Sequence, residues 1–327
     1  MANEATGPLS GLLGGSTVMK SLRDEIARVG PSELRIHIHG ETGTGKEQVA
    51  RALHAISPRA RVPLVSFNAA GFSDELVEAE LFGHTRGAFT GAHLAREGYV
   101  AAAEHGTLFL DEVAELTSRA QARLLRFLDD GEYHRLGETA ARRANVRVLS
   151  ATNVDLGERV RQGRFRADLW YRLKDHCILV PCLRDRGGDV LFLARHFLER
   201  AVGVAAGRCD TRLGREAETA IARYRWPGNV RQLEREMRRV AVMAAGVVVE
   251  PSHLSTDVRQ RELVGGGDLR AARDEWEGAY VRRVLDRHDG VRTAAAAELG
   301  ITRQALVAKI RRLGVFAQGP TVTGGAR

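Results

Sequence analysis

The spacing of apolar residues changes part-way along the chain. LRIHIH (Leu34–His39) alternates apolar and polar residues, the pattern of a strand. LVSFN (Leu64–Asn68), GTLFLDE (Gly106–Glu112) and VRVLSATN (Val146–Asn153) are further short apolar runs, each closing on polar or acidic residues. After the first strand, Val49, Ala50, Leu53 and Ile56 recur at helical spacing. Such alternation predicts an α/β core with an open parallel sheet. After VPCLRDRGGDV the pattern turns helical, over Leu191–Gly203, Glu216–Tyr224 and Val230–Ala245. Trp226-Pro227-Gly228 breaks that region, and Asn229 is expected to N-cap the helix that follows. Pro251–Asp268 is polar and glycine-rich, as a linker is. WEGAYVRRVLDRH then predicts a helix, and TAAAAELGITRQALVAKIRRLG a helix, a turn at Gly300 and a second helix capped by Thr302. The expected layout is an α/β core over residues 11–185, a helical subdomain over 186–250, a linker over 251–267 and a helix-turn-helix over 268–315.

The first strand runs into GETGTGKE: Gly40, Glu41, Thr42, Gly43, Thr44, Gly45, Lys46 and Glu47. Strand, glycine loop and helix make up a phosphate-binding loop. Backbone N–H groups and the helix N-terminus face the phosphates, and Lys46 reaches the β/γ positions. Glu47 stands where Ser or Thr is usual, so Thr44 or a later carboxylate is expected to help with Mg²⁺. GTLFLDE supplies that carboxylate. Asp111 is the expected metal ligand, and Glu112 the group that orients or activates water. Ligands of open parallel sheets bind at the strands' carboxyl ends, which would gather Gly40, Asp111 and Asn153. Asn68 is placed to bond the Glu112 carboxylate. GRFRADLWYRL carries Arg164, Arg166 and Arg172. Taken alone, these read as surface or salt-bridge arginines.

GAFTGA (Gly87, Ala88, Phe89, Thr90, Gly91, Ala92) is a bare phenylalanine among small residues, flanked by polar and charged ones. In the order GETGTGKE, ELFGHTRGAFTGA, GTLFLDE, SATN, FRADLWYRL and WPGNVRQL, the chain resembles the sigma-54-dependent transcriptional activators. These are bacterial enhancer-binding proteins of the AAA+ ATPase superfamily. The resemblance covers nearly the whole chain, from about Leu13 to Leu313. It implies an AAA+ P-loop ATPase core, a helical lid and a Fis-like helix-turn-helix. It implies ATP and Mg²⁺ as cofactors, with Lys46, Asp111 and Glu112 in their usual roles and Glu47 as the family's ordinary residue. Asn68 would restrain the catalytic glutamate, Asn153 would fall in the first sensor, and Arg231 would be the second sensor arginine. Arg166 and Arg172 would act across a subunit boundary, which implies a homo-oligomer, usually a hexamer. GAFTGA would cap a loop contacting sigma-54 in the RNA polymerase holoenzyme, with Phe89 as an exposed point of contact. Only about a dozen residues precede the resemblance, where most members carry a regulatory domain. The type expected is one without it, controlled by a separate protein or by expression level, unless that domain was removed from the chain.

Charge agrees with a nucleic-acid partner. A net +4 of the chain's +8 falls in residues 291–313. Leu306, Ile310 and Leu313 form the inward face of the last helix. Thr302, Arg303, Gln304, Lys309, Arg311 and Arg312 are the expected contacts to double-stranded DNA upstream of promoters, the last three to phosphate. Val291 departs from the common pattern, where asparagine is frequent. Cys177, Cys182 and Cys209 match no metal or redox spacing and read as packing residues of a reducing compartment. With no apolar run of bilayer length and no signal pattern at the N-terminus, a cytoplasmic protein without membrane contact is expected. The expected function is ATP-driven opening of promoter complexes. The alternatives are a DNA-bound ATPase or repressor acting on another partner, and an AAA+ chaperone of another kind.

Overall fold

The structure, a computed structural model, describes residues 9–205, 211–259, 269–288 and 290–313. The chain divides between Ser255 and Thr256 into two compact units.

The first unit is built on a five-stranded parallel sheet of β1 (Ile36–His39), β2 (Leu64–Asn68), β3 (Thr107–Asp111), β4 (Arg147–Thr152) and β5 (His176–Leu179). The spatial order is β2-β3-β4-β1-β5, so β1 lies between β4 and β5. Parallel strands buried on both faces read as near-continuous apolar runs, because each face is covered by helices. Successive residues of β3 show this. Leu108 and Leu110 pack in one core cluster with α3 (Asp74–Phe82), α4 (Ser118–Asp130) and α6 (Ala167–Leu173). Phe109 packs in the other with α1 (Thr17–Val29) and α2 (Lys46–Ala55). A short α5 (Leu156–Arg161) begins at Asp155, whose carboxylate accepts from the Gly157 and Glu158 amides.

The helical part of this unit comprises α7 (Asp189–Ala205), α8 (Arg215–Arg223) and α9 (Asn229–Met243). Its core includes Leu193, Leu198, Ile221, Leu233, Met237 and the fully buried Trp226, whose indole donates to the Ile221 carbonyl at 2.9 Å. Two sequence expectations change here. Asn229 does not cap α9: Gly228 holds the cap position, and Asn229 is the first helical residue, with φ +51°. Residues 251–255 are not linker, because Leu254 is buried, the His253 carbonyl accepts from Arg239, and the Ser255 amide donates to Glu236. Residues 260–268 of the expected linker, and Cys209, lie outside the described residues.

The second unit contains α10 (Leu269–Arg287), α11 (Arg292–Glu298) and α12 (Arg303–Arg312). α10 starts before the Trp276 that the pattern indicated. Val281, Val284, Leu285, Ala295, Ala296 and Leu306 form its core, with Ile310 and Leu313 packed at the edge. Gly300 makes the turn with φ +64°, a left-handed conformation that glycine adopts without steric cost. The Thr302 hydroxyl accepts from the Ala305 amide at 3.2 Å, capping α12. Val291 begins α11 without a side-chain cap and is exposed. Among the described residues no helix is long and apolar enough to cross a membrane.

Candidate active site

The phosphate loop joins β1 to α2, and two glycines give it its shape. Gly43 and Gly45 have φ +78° and +101°. A side chain at Gly43 would come within 2.3 Å of the Gly228 carbonyl oxygen. The loop is closed internally by the Thr44 hydroxyl, which donates to the Glu41 carbonyl at 2.8 Å. Lys46, the first residue of α2, is 7% exposed. Its ammonium donates to the Gly40 carbonyl at 3.0 Å and lies 3.6 Å from Glu112 Oε1. Glu47 faces solvent and pairs with Arg51 one turn on.

The strand ends converge as the sequence implied. Glu112 leaves β3 in a left-handed conformation, φ +51°, rare for a residue with a side chain. Its carboxylate accepts from the Asn153 amide at 3.4 Å, and the Asn153 side chain donates to the Thr42 hydroxyl at 2.8 Å. Burial, and then the neighbouring Glu112, raise the Asp111 carboxyl above the usual aspartate range. One expected contact is different. Asn68 donates to Asp111 at 3.4 Å and not to Glu112. The register explains this: β2 and β3 pair Asn68 directly with Asp111, while the turned backbone of Glu112 sends its carboxylate toward Lys46.

The loop's other side is held by two arginines that sequence reasoning missed, Arg184 and Arg186. Glu41 receives Arg184 at 2.6 and 2.9 Å and the Asn229 amide at 3.1 Å, bonds that hold its carboxyl down at about 2. The buried Arg186 donates to the Thr44 carbonyl at 2.7 Å and the Pro181 carbonyl at 2.9 Å, and burial lowers it to about 10. The signal was present as LRDR between the last strand and the first lid helix, a dense charge run at a hinge. Cys182 beside Glu41 is pushed up to about 11, chiefly by burial, and has no thiolate character at neutral pH. Beside the loop opens a cavity of about 610 Å³, lined by Leu12, Leu13, Val49, Val180, Leu193 and Phe197 among others. An apolar pocket against a phosphate loop has the form of a nucleobase site. Arg231 lies at the same corner, its amide donating to the Gly43 carbonyl at 3.2 Å, and its side chain is exposed.

Two sequence features lie on the surface of this unit. Arg166 precedes α6 and Arg172 lies in its last turn, and they pair with Asp168 at 2.7 Å and Asp129 at 2.8 Å while remaining roughly half exposed. The helix is tied to the strand of the phosphate loop by Trp170, which meets His37 edge-on at 4.9 Å. The GAFTGA segment is a hairpin closed by the Gly87 amide on the Ala92 carbonyl at 2.8 Å. It is anchored by Thr85 and Gly83, which exchange backbone bonds with Leu136. Phe89 is not the exposed ring expected. It is half-buried, 5.0 Å from the His84 ring, and the large apolar side chain standing free nearby is Leu94, 79% exposed.

In the second unit Arg303 and Gln304 are exposed at the start of α12. Lys309 instead pairs with Glu277 of α10, and Arg312 pairs with Glu277 at 2.6 Å and Asp274 at 3.5 Å. Arg311 lies in the helix, and its side chain is outside the described ones.

Residues 12–179 match the Sigma-54 interaction domain, 184–266 the AAA+ ATPase lid domain, and 272–313 the Fis family of bacterial regulatory proteins. The chain belongs to the sigma-54 activator family. This activator is therefore an AAA+ ATPase that carries a sigma-54 interaction domain and a DNA-binding helix-turn-helix. It is 41% identical to the transcriptional regulatory protein ZraR of Salmonella typhimurium, over 92% of this chain and 68% of that protein. It is 40% identical to the DNA-binding transcriptional regulator NtrC of the same organism, over 95% of this chain and 72% of that protein. Among solved structures, NtrX from Brucella abortus in complex with ATP superposes with a TM-score of 0.70 at 34% identity, over 93% of this chain and 69% of that one.

Proposed function

We propose that this activator assembles into a ring, hexameric in its active form, and uses ATP hydrolysis to remodel the closed promoter complex of sigma-54 RNA polymerase through its Gly87–Ala92 hairpin. Lys46 and the amides of Gly40–Glu47 hold the phosphates. Glu112 orients the attacking water once a nucleotide has drawn Lys46 away from it. Asn153 and Asn68 position the two carboxylates, and Arg231 reads the nucleotide from the lid side. Arg166 and Arg172, half exposed, serve the neighbouring copy's site.

The residues fit a magnesium ion. Asp111 and Glu112 place two carboxylates against one buried ammonium, and burial disfavours the Asp111 charge, so a cation beside it is accommodated. Asp111 would hold Mg²⁺, which offsets the charge of the phosphates. The Phe89 ring, set edge-on against His84 here, is released toward sigma-54 as the hairpin changes shape. Thr302, Arg303 and Gln304 read base edges, and Lys309, Arg311 and Arg312 meet phosphate. The work takes place in the cytoplasm.

The observation that carries the reading is the 3.6 Å approach of Lys46 to Glu112 at the converged strand ends, in the same compact unit as the anchored GAFTGA hairpin. The test is capture of purified sigma-54 by the activator in ADP, in ATP and in a non-hydrolysable ATP analogue. Capture in at least one triphosphate-like state, lost in Phe89→Ala, is expected. No capture of sigma-54 in any nucleotide state would contradict it.

A further inference from the structure

The lid meets the phosphate loop at one corner, Trp226–Arg231. Trp226 and Asn229 both have positive φ there, +53° and +51°, and both are fully buried. Residues with side chains keep such conformations only where their surroundings over-determine them, and these sites cluster where strain serves function.

The surroundings can be named. The Asn229 side chain commits both its N–H donors and its carbonyl oxygen to two other elements. Its carbonyl oxygen accepts from the Leu183 amide at 2.9 Å, and its NH₂ donates to Glu41 Oε2 at 3.1 Å and the Thr42 carbonyl at 3.0 Å. Glu41 is in turn held by Arg184. Two residues along, the Arg231 amide donates to the Gly43 carbonyl at 3.2 Å. From the other side, Gly43 leaves no room for a side chain against Gly228.

We propose that Asn229 is a positioning residue for ATP hydrolysis: it seats the lid on the phosphate loop through Glu41 and Thr42. The loop then keeps its phosphate-binding shape only while the lid is docked. Asn229 acts through the loop and not on the nucleotide, because its amide is fully engaged by protein. Thr42 extends the link to Asn153 at the end of β4, so the lid, the loop and the water-side carboxylate share one chain of hydrogen bonds.

An exchange of acceptor and donor tests this. Asn229→Asp keeps the shape but turns the group facing Glu41 and the Thr42 carbonyl into a third acceptor. The KM for ATP should rise about tenfold or more, with the fold intact by circular dichroism, because an unsatisfied buried acceptor carries that cost. Adding Glu41→Gln supplies a donor from the other side and should recover most of the KM. A residue that merely packs would show no such rescue. An unchanged KM in Asn229→Asp, or a double variant no better than the single one, would overturn the proposal. Should Asn229→Asp fail to fold, Glu41→Ala at a half-exposed position breaks the same link. It should raise KM, and an unchanged KM there would equally overturn it.

Discussion

Lys46 Nζ lies 3.6 Å from Glu112 Oε1, so the buried ammonium and the carboxylate offset each other's charge. On the proposed function, a triphosphate draws Lys46 by its own negative charge and frees Glu112, so that nucleotide binding and activation of the base are one event.

Glu112→Gln separates the two. It keeps the shape, removes the base and ends the competition for Lys46. Steady-state turnover should fall at least about 100-fold, the range a positioned base supplies. Affinity for a fluorescent ATP analogue should hold or improve. Turnover close to wild type would assign the water-activating role elsewhere.

Asp111→Asn should trade function for stability. The folded-state pKa of Asp111 lies above its unfolded value. The folded protein therefore binds more protons than the unfolded chain in the window just above the ordinary aspartate range. Stability falls as pH rises through that window, and at neutral pH the full penalty is present. Removing the charge should raise the Tm of the nucleotide-free protein by a few degrees while abolishing turnover. A lower Tm would mean that the charge is compensated in the fold.

The DNA-binding helix divides into two ends. Arg303 has no carboxylate partner among the described residues, whereas Lys309 is paired with Glu277. Arg303→Ala should weaken binding to a specific site about tenfold and relax the sequence preference there. Lys309→Ala should cost less in affinity and more in the Tm of this unit. Fluorescence anisotropy across a salt series distinguishes them: Lys309→Ala alone should lower the salt dependence, by about one ion, and an unchanged salt slope there would mean that Lys309 stays on Glu277 and off the phosphates.

The sequence made the sheet legible because the inner strands β1, β3 and β4 are buried on both faces and β1 to β4 each end in a polar residue. LVSFN became a strand over Leu64–Asn68, and Gly40, Asp111 and Asn153 met at one edge. What stayed hidden depends on contacts between distant residues. Asn229 reads as a cap because a Gly-Asn pair before a helix often is one. That it instead reaches Glu41, 188 positions earlier, follows only from the lid's packing. Phe89 reads as exposed because its sequence neighbours are small, and His84 covers it through the fold of the hairpin. The basic face of the last helix read as wholly free because Glu277 lies 32 positions before Lys309.

The central claim is that ATP hydrolysis reaches sigma-54 through Phe89. The most direct measurement is open-complex formation on a sigma-54 promoter with purified holoenzyme and ATP, comparing wild type with Phe89→Ala. The account predicts opening by wild type alone, with ATP turnover retained in the variant. Equal opening by both proteins would contradict it.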